Sequence, residues 1–296
     1  MGQLHNSTMT TRVMFDEKGD NGLVLSGKYL PEELLAEILC LVDYKSLLNC
    51  QLVCKRWKIL IQTYIWRKKA EISLRRSLLF DKEVSWDVYY LICKKKPFER
   101  NLVKNHSGKY GKNRHWKIVT EGGDNWKVEH PPQGVPPLPH EPDEALFEQF
   151  CFVTSYHRCT KVQIIDLESE GLTPYVLDNL QPPIVVSEWY SCRWDCPAVY
   201  ECTIKLLGEN NRTIDFFDFR DDIEGEKQNQ WHCMSHQFEN YGPGLRQISF
   251  YHGGIDKLFW AGHYGSKMAG ACVRVKIPTV QFSDTEEDLI APDTDE

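Results

Sequence analysis

The hydrophobic period of this chain changes once, from about 3.6 residues before residue ~97 to about 2 residues after it, which divides the chain into two kinds of structure. In the first part, Tyr29-Leu30-Pro31-Glu32-Glu33 opens a run in which Leu34, Leu35, Ile38, Leu41 and Val42 recur at helical spacing. Proline suits a first helical turn, and the two acidic residues suit the positive end of the helix dipole. Asp43 is placed to cap a following helix with Leu47, Cys50, Cys54, Trp57 and Ile61 on one side. A helical unit this short with so apolar a side cannot cover itself, so a partner is expected.

The second part alternates. In Val199 to Leu206, residues Tyr200, Cys202, Ile204 and Leu206 share one face, and Glu201, Thr203 and Lys205 share the other. Similar runs span Lys161 to Leu167, Ile184 to Tyr190, Thr213 to Phe219, Arg246 to His252 and Ala271 to Ile277. Short strands in succession with no helices between them predict an antiparallel sandwich. The expected fold class is α+β multidomain: a small all-α module, then an antiparallel β-sandwich. The divisions are a flexible tail over 1–27, a helical module over 28–73, a helical linker over 74–96, the sandwich over 97–278 and an acidic tail over 279–296.

Composition narrows the function classes. A net charge of −7 disfavours a nucleic-acid-binding surface, and the basic clusters at 67–69 and 94–96 are local. No apolar run reaches the ~20 residues that span a bilayer, and the N-terminal stretch lacks a signal-like apolar region, so a cytoplasmic protein is expected. The 11 cysteines are then reduced thiols. Cys192, Cys196, His232, Cys233 and His236 lack the spacing of a zinc site, and no catalytic constellation is legible, so no metal, cofactor or enzymatic role is expected. Gly253-Gly254 reads as a hairpin turn.

Leu30-Pro31-Glu32-Glu33-Leu34-Leu35, then Leu47, Leu52-Val53-Cys54-Lys55-Arg56-Trp57 and Trp66, resemble the F-box motif over roughly 40 residues. The resemblance implies a module that docks on the Skp adaptor, and through it on cullin. Leu30, Pro31, Leu34, Ile38, Leu47 and Val53 match the adaptor-facing positions.

The second part resembles the F-box-associated domain of the sugar-recognising F-box subfamily. The matching runs include Phe98 to Asn105, Gly122 to Glu129, Gln163 to Leu167, Glu188-Trp189-Tyr190, Tyr241 to Arg246, His252-Gly253-Gly254 and Phe259 to Gly265. The resemblance implies a jelly-roll-like sandwich of about ten strands. It also implies a substrate-recognition subunit, without catalysis, reading the chitobiose core of high-mannose N-glycans on misfolded proteins in ER-associated degradation. The glycan-binding positions it marks are Phe152, Tyr156, Asp195, Phe259 and Trp260. Here Ala261 stands where some glycan-binding members carry lysine, Phe259 lacks a tyrosine hydroxyl, and Tyr156 replaces a phenylalanine.

The residue types suit such a ligand, because a pyranose has an apolar face for an aromatic ring and its hydroxyl and acetamide groups need acceptors. By residue type alone, Trp260 suits a core as well as a sugar, and Phe152 and Tyr156 suit a core better. The alternative is an F-box adaptor whose sandwich binds non-glycosylated protein.

Overall fold

The computed structural model describes residues 22–78, 84–139 and 148–278; the acidic stretch expected over 279–296 lies outside them. The chain forms two compact units that meet at residues 94–95.

The first unit opens with a two-stranded ribbon, β1 (Val24–Leu25) and β2 (Lys28–Tyr29). Helices α1 (Glu32–Leu41), α2 (Tyr44–Cys50), α3 (Lys55–Leu60), α4 (Trp66–Leu74) and α5 (Trp86–Lys95) follow, with a π-helical turn (Ile61–Ile65) joining α3 to α4. Pro31 precedes α1, and the Asp43 carboxylate accepts from the Lys45 and Ser46 amides at 3.0 and 3.1 Å, the cap its position predicts.

Two expectations need correction here. The single helix expected from Asp43 through Ile61 is two helices. Leu52 and Val53 amides bond back to Asn49 and Cys50 carbonyls in turn fashion, and Cys54 is extended (φ −159°). Of the flexible tail expected over 1–27, residues 1–21 lie outside the described residues and residues 22–27 are ordered against the helices. Leu23 is buried, and the Trp57 indole donates to the Gly22 carbonyl at 2.6 Å, so a residue 35 positions away fixes this segment. That contact leaves no local periodicity to read.

The second unit is two five-stranded antiparallel sheets. The strands are β3 (Lys117–Glu121), β4 (Lys127–Glu129), β5 (Cys151–Val153), β6 (Cys159–Asp166), β7 (Ile184–Ser191), β8 (Ala198–Leu207), β9 (Thr213–Ile223), β10 (His232–Phe238), β11 (Gln247–Asp256) and β12 (Lys267–Val275). One sheet has the order β10-β7-β12-β5-β4 and the other β3-β6-β11-β8-β9. In β8, Tyr200, Cys202, Ile204 and Leu206 are buried while Lys205 is exposed, as the alternation requires.

Gly253 and Gly254 are not a hairpin turn. They lie inside β11, opposite Thr160 and Cys159 of β6 and Glu201 and Tyr200 of β8. A Cβ on Gly253 would collide with the Cys159 carbonyl, and one on Gly254 with the Val199 carbonyl and the Ser266 hydroxyl. The glycines permit close approach of neighbouring backbone rather than chain reversal.

The sandwich core carries a polar heart. Glu188 accepts from the Tyr200 hydroxyl at 2.7 Å and from His252 Nδ1 at 2.7 Å, all three residues being buried. Burial lowers the proton affinity of His252, while its hydrogen bond to the Glu188 carboxylate opposes that shift. Beside it, the buried Lys161 ammonium position lies 2.6 Å from the ring centre of Phe152 and 4.3 and 5.0 Å from those of Trp126 and Trp116. Lys161 Nζ has no hydrogen-bond partner among the described residues, and desolvation drives its pKa well below the usual lysine value. A second buried pair joins Lys267 to Glu129 at 2.6 Å. No helix among the described residues is long and apolar enough to cross a membrane.

Candidate functional site

Two surfaces stand out, one on each unit. On the helical unit, α1 is apolar on both sides. Leu35, Ala36, Leu39 and Cys40 are buried, while Leu34, Ile38 and Leu41, spaced by four and three residues, are exposed. The turn between α2 and α3 exposes Leu52 and Val53. A stripe at positions i, i+4 and i+7 on one helix is a docking pattern, because leaving it in water is unfavourable.

The other adaptor-facing candidates differ in exposure. Pro31 is exposed, Leu30 is half-buried, and Leu47 is fully buried within the unit. Leu47 is therefore a core residue, the buried side chain of α2, and not part of the exposed surface. Leu41 and Leu52 are exposed apolar residues outside the six adaptor-facing positions; Leu41 continues the Leu34–Ile38 stripe by one turn. The unit is tied by the Glu32–Arg56 ion pair at 2.8 Å and by Lys69 Nζ donating to the Cys40 carbonyl at 3.0 Å.

On the sandwich, four loops gather at one end: β3–β4, β5–β6, β7–β8 and β11–β12. Ser155, in the β5–β6 loop, ties three of them together. Its hydroxyl accepts from the Asp124 amide at 2.9 Å and donates to the Gly262 carbonyl at 2.6 Å, and its carbonyl accepts from the Asp256 amide. His263 Nε2 donates to the Asp124 carbonyl at 3.0 Å, and the Lys257 amide donates to the Pro197 carbonyl at 2.9 Å.

This frame holds aromatic rings outward. Phe259 is 65 % and Trp260 42 % exposed. Phe259 has a left-handed backbone (φ 57°), an uncommon conformation for a bulky residue. The buried Asp256 carboxylate sustains it by accepting from the Leu258 and Phe259 amides at 2.9 and 2.5 Å. A strained backbone presenting an exposed ring is the kind of feature found at binding sites.

Tyr156 is half-buried, with its ring centre 5.1 Å from that of His157, which in turn lies 6.0 Å from Phe259. Trp260 meets Tyr264 edge to face at 5.5 Å. Arg193 lies over the Tyr264 ring at 4.7 Å and forks onto Asp195 with two hydrogen bonds of 2.7 Å. The hydrogen bonds from Arg193 hold the Asp195 carboxyl below its ordinary pKa, so it is an anion with each oxygen already accepting once.

The structure thus brings Tyr156, Asp195, Phe259 and Trp260 to one end of the sandwich, through intermediaries the sequence did not mark: His157, Arg193 and Tyr264. Phe152 is elsewhere. It lies in β5, fully buried, with its ring 6.0–6.2 Å from those of Trp116, Trp126 and His252, so it cannot meet a ligand. The reason is register: Phe152 pairs with Met268 and Val128 inside a sheet, whereas Tyr156 falls in the loop beyond it. Trp194, 64 % exposed beside Asp195, is a further aromatic at this end.

Cys192 and Cys196 are buried thiols, pushed up to about 12 and about 11 mainly by desolvation. Among the described residues no cluster of three or more His, Cys, Asp or Glu could hold a metal ion.

Residues 28–71 match the F-box-like family and residues 93–275 the F-box associated region. The chain is 37 % identical to F-box only protein 6 of Bos taurus over 261 residues, which cover 84 % of this chain and 93 % of that one. It is 33 % identical to F-box only protein 44 of Homo sapiens over 258 residues (84 % and 96 %) and 35 % identical to F-box only protein 2 of Bos taurus over 257 residues (83 % of each). Among solved structures, it overlaps a CBM61 module complexed with β-1,4-galactotriose at 11 % identity, with a TM-score of 0.35, covering 60 % of this chain and 100 % of that one. A CBM22-1 xylan-binding domain from Paenibacillus barcinonensis overlaps at 16 % identity, with a TM-score of 0.31, covering 58 % and 93 %. The two family matches and the F-box only relatives establish that the chain belongs to the F-box only proteins that carry an F-box associated region.

Proposed function

We propose that this chain is the non-catalytic substrate-recognition subunit of a Skp–cullin–F-box ubiquitin ligase, working in the cytoplasm in ER-associated degradation. Its helical unit docks on the Skp adaptor. Its sandwich reads the chitobiose core of high-mannose N-glycans on misfolded glycoproteins.

The observation that carries the recognition half is the pair of exposed rings, Phe259 and Trp260, on a loop pinned next to the Arg193–Asp195 pair. An aromatic plate beside a fixed carboxylate offers the apolar and polar halves of a sugar their complements. Phe152 drops out of the binding set, while Tyr156, Asp195, Phe259 and Trp260 remain in it. The docking half is supported by the exposed Leu34–Ile38–Leu41 stripe with Pro31, Leu52 and Val53. Leu30 borders that surface, and Leu47 lies in the core of the unit. Several glycans on one substrate would raise a modest single-site affinity through effective concentration.

Capture of the full chain on chitobiose beads tests recognition. Retention that Trp260→Ala abolishes is the expected result. Absence of retention would remove the glycan reading and leave an adaptor for non-glycosylated protein. Co-expression with a Skp protein tests docking separately, and failure to co-purify would remove the ligase reading.

A further inference from the structure

We propose that Arg193 is the positioning residue of the loop end: its guanidinium aligns the Asp195 carboxylate with the Trp260 ring and makes the site select neutral N-acetylated sugars over cationic amino sugars. The inference deepens the glycan reading and rests on it for the ligand class.

Arg193 Nε and Nη2 donate to the two oxygens of Asp195, both at 2.7 Å. The same planar group lies 4.7 Å from the ring centre of Tyr264, and Tyr264 abuts Trp260 at 5.5 Å and 84°. One side chain from the β7–β8 loop therefore touches the acceptor directly and the stacking plate through one ring of the β11–β12 loop. On another side, the guanidinium rests against Gly134, where a Cβ would come within 2.9 Å of Cζ and Nη1. With about a fifth of its side chain exposed, Arg193 is held by a carboxylate, a ring and bare backbone.

The backbone of this loop does not depend on that side chain. The Trp194 amide donates to the Gly134 carbonyl at 3.2 Å, and Gln228 Nε2 donates to the Arg193 and Trp194 carbonyls, each at 3.1 Å. An ion pair two residues apart near the surface contributes little to stability. Its consequence is orientation. Only a planar fork can bond both oxygens and stack at once; an ammonium does one or the other.

The charge has a further consequence. Each Asp195 oxygen keeps a lone pair for an acetamide N–H or a hydroxyl, but its negative charge is matched by Arg193. A sugar ammonium approaching that carboxylate also approaches the guanidinium, so de-acetylation should be penalised.

Two variants of the full chain separate geometry from charge. Arg193→Lys keeps the charge and loses the fork and the stack; Arg193→Met loses the charge as well. Calorimetry with N,N′-diacetylchitobiose and with its de-acetylated form gives affinity and selectivity. We expect both variants to bind the acetylated sugar about tenfold more weakly, the size of one lost charge-assisted contact. Arg193→Lys should keep the preference for the acetylated form, and Arg193→Met should lose about tenfold of it.

A ligand-free readout accompanies these: fluorine NMR of fluorotryptophan-labelled chain, with the Trp260 line assigned through Trp260→Phe. Both variants should displace that line with melting temperatures unchanged. Wild-type affinity and selectivity in both variants, with an undisplaced Trp260 line, would overturn the proposal. Should the wild type bind neither sugar, the glycan reading fails on its own, and an undisplaced Trp260 line would still overturn the positioning role.

Discussion

The two exposed apolar surfaces of this molecule are built in opposite ways. The α1 stripe of Leu34, Ile38 and Leu41 comes from one regular helix, so its geometry is set by 3.6-residue periodicity alone. The aromatic end of the sandwich comes from four loops, and its ring positions are set by hydrogen bonds between residues up to 139 positions apart. A helical stripe spreads its contribution over several similar side chains. A loop site concentrates it on a few rings whose orientation has to be fixed by something else. Where a surface is made locally, its residues can be read one by one. Where it is assembled from distant loops, the residues that touch a ligand and those that place them are different sets.

The contrast can be broken or sharpened by substitution. The largest effect is expected at the residue that belongs to neither surface: Phe152→Ala should cost the sandwich about 3–5 kcal/mol, measured by urea unfolding, because it empties a packed aromatic site. A cost near zero would return Phe152 to the exposed set. Next, Leu34→Asp or Ile38→Asp should weaken adaptor binding by more than about a hundredfold, read by titration calorimetry, with little change in melting temperature because neither side chain is buried. Trp260→Ala should weaken chitobiose binding by about ten- to a hundredfold, the contribution of a single stacked ring. If Leu34→Asp proved as mild as an ordinary surface change, the helical stripe would not be a docking face.

A smaller effect is expected from pH. The folded-state pKa of Lys161 is lowered by burial, so between that value and the unfolded value of about 10.4 the unfolded chain holds a proton that the folded chain lacks. Stability from this group therefore rises with pH across that window, at up to about 1.4 kcal/mol per pH unit. Buried thiols such as Cys151, pushed up to about 12, act in the opposite direction at alkaline pH. The measurement is accordingly a difference: the stability advantage of Lys161→Met over wild type in urea titrations should shrink as pH rises, and an advantage independent of pH would show that Lys161 keeps its proton. The smallest effect is Phe259→Ala, which should change stability by no more than about 0.5 kcal/mol, since the ring is mostly in solvent.

Much of this was legible in the sequence because the signals were local. The Asp43 cap, the Pro31 start, the alternation of β8 and the helical spacing of α1 all lie within windows of a few residues. Strands β4 and β5, three residues each, are too short to show alternation, and β10 is a largely polar edge strand. Gly253 and Gly254 look like a turn because close backbone approach and chain reversal demand the same residue. The family resemblance marked Asp195, Phe259, Trp260 and Tyr156, all of which lie at the loop end. It placed Phe152 with them as a matching position in the run from Phe152 to Tyr156, and such a match says nothing about where β5 stops. Arg193 and Tyr264 were invisible for a different reason: their roles exist only once β7–β8 and β11–β12 lie side by side.

Ser155 gives this architecture a consequence for change over generations. A single buried hydroxyl and its own carbonyl fasten three loops, while the rings at Tyr156, Trp194, Phe259 and Trp260 sit outside that fastening. Mutational freedom is thereby divided. The tips can be exchanged one at a time, and what the loop end recognises can drift, without loosening the frame. A change at Ser155 itself would touch three of the four loops at once.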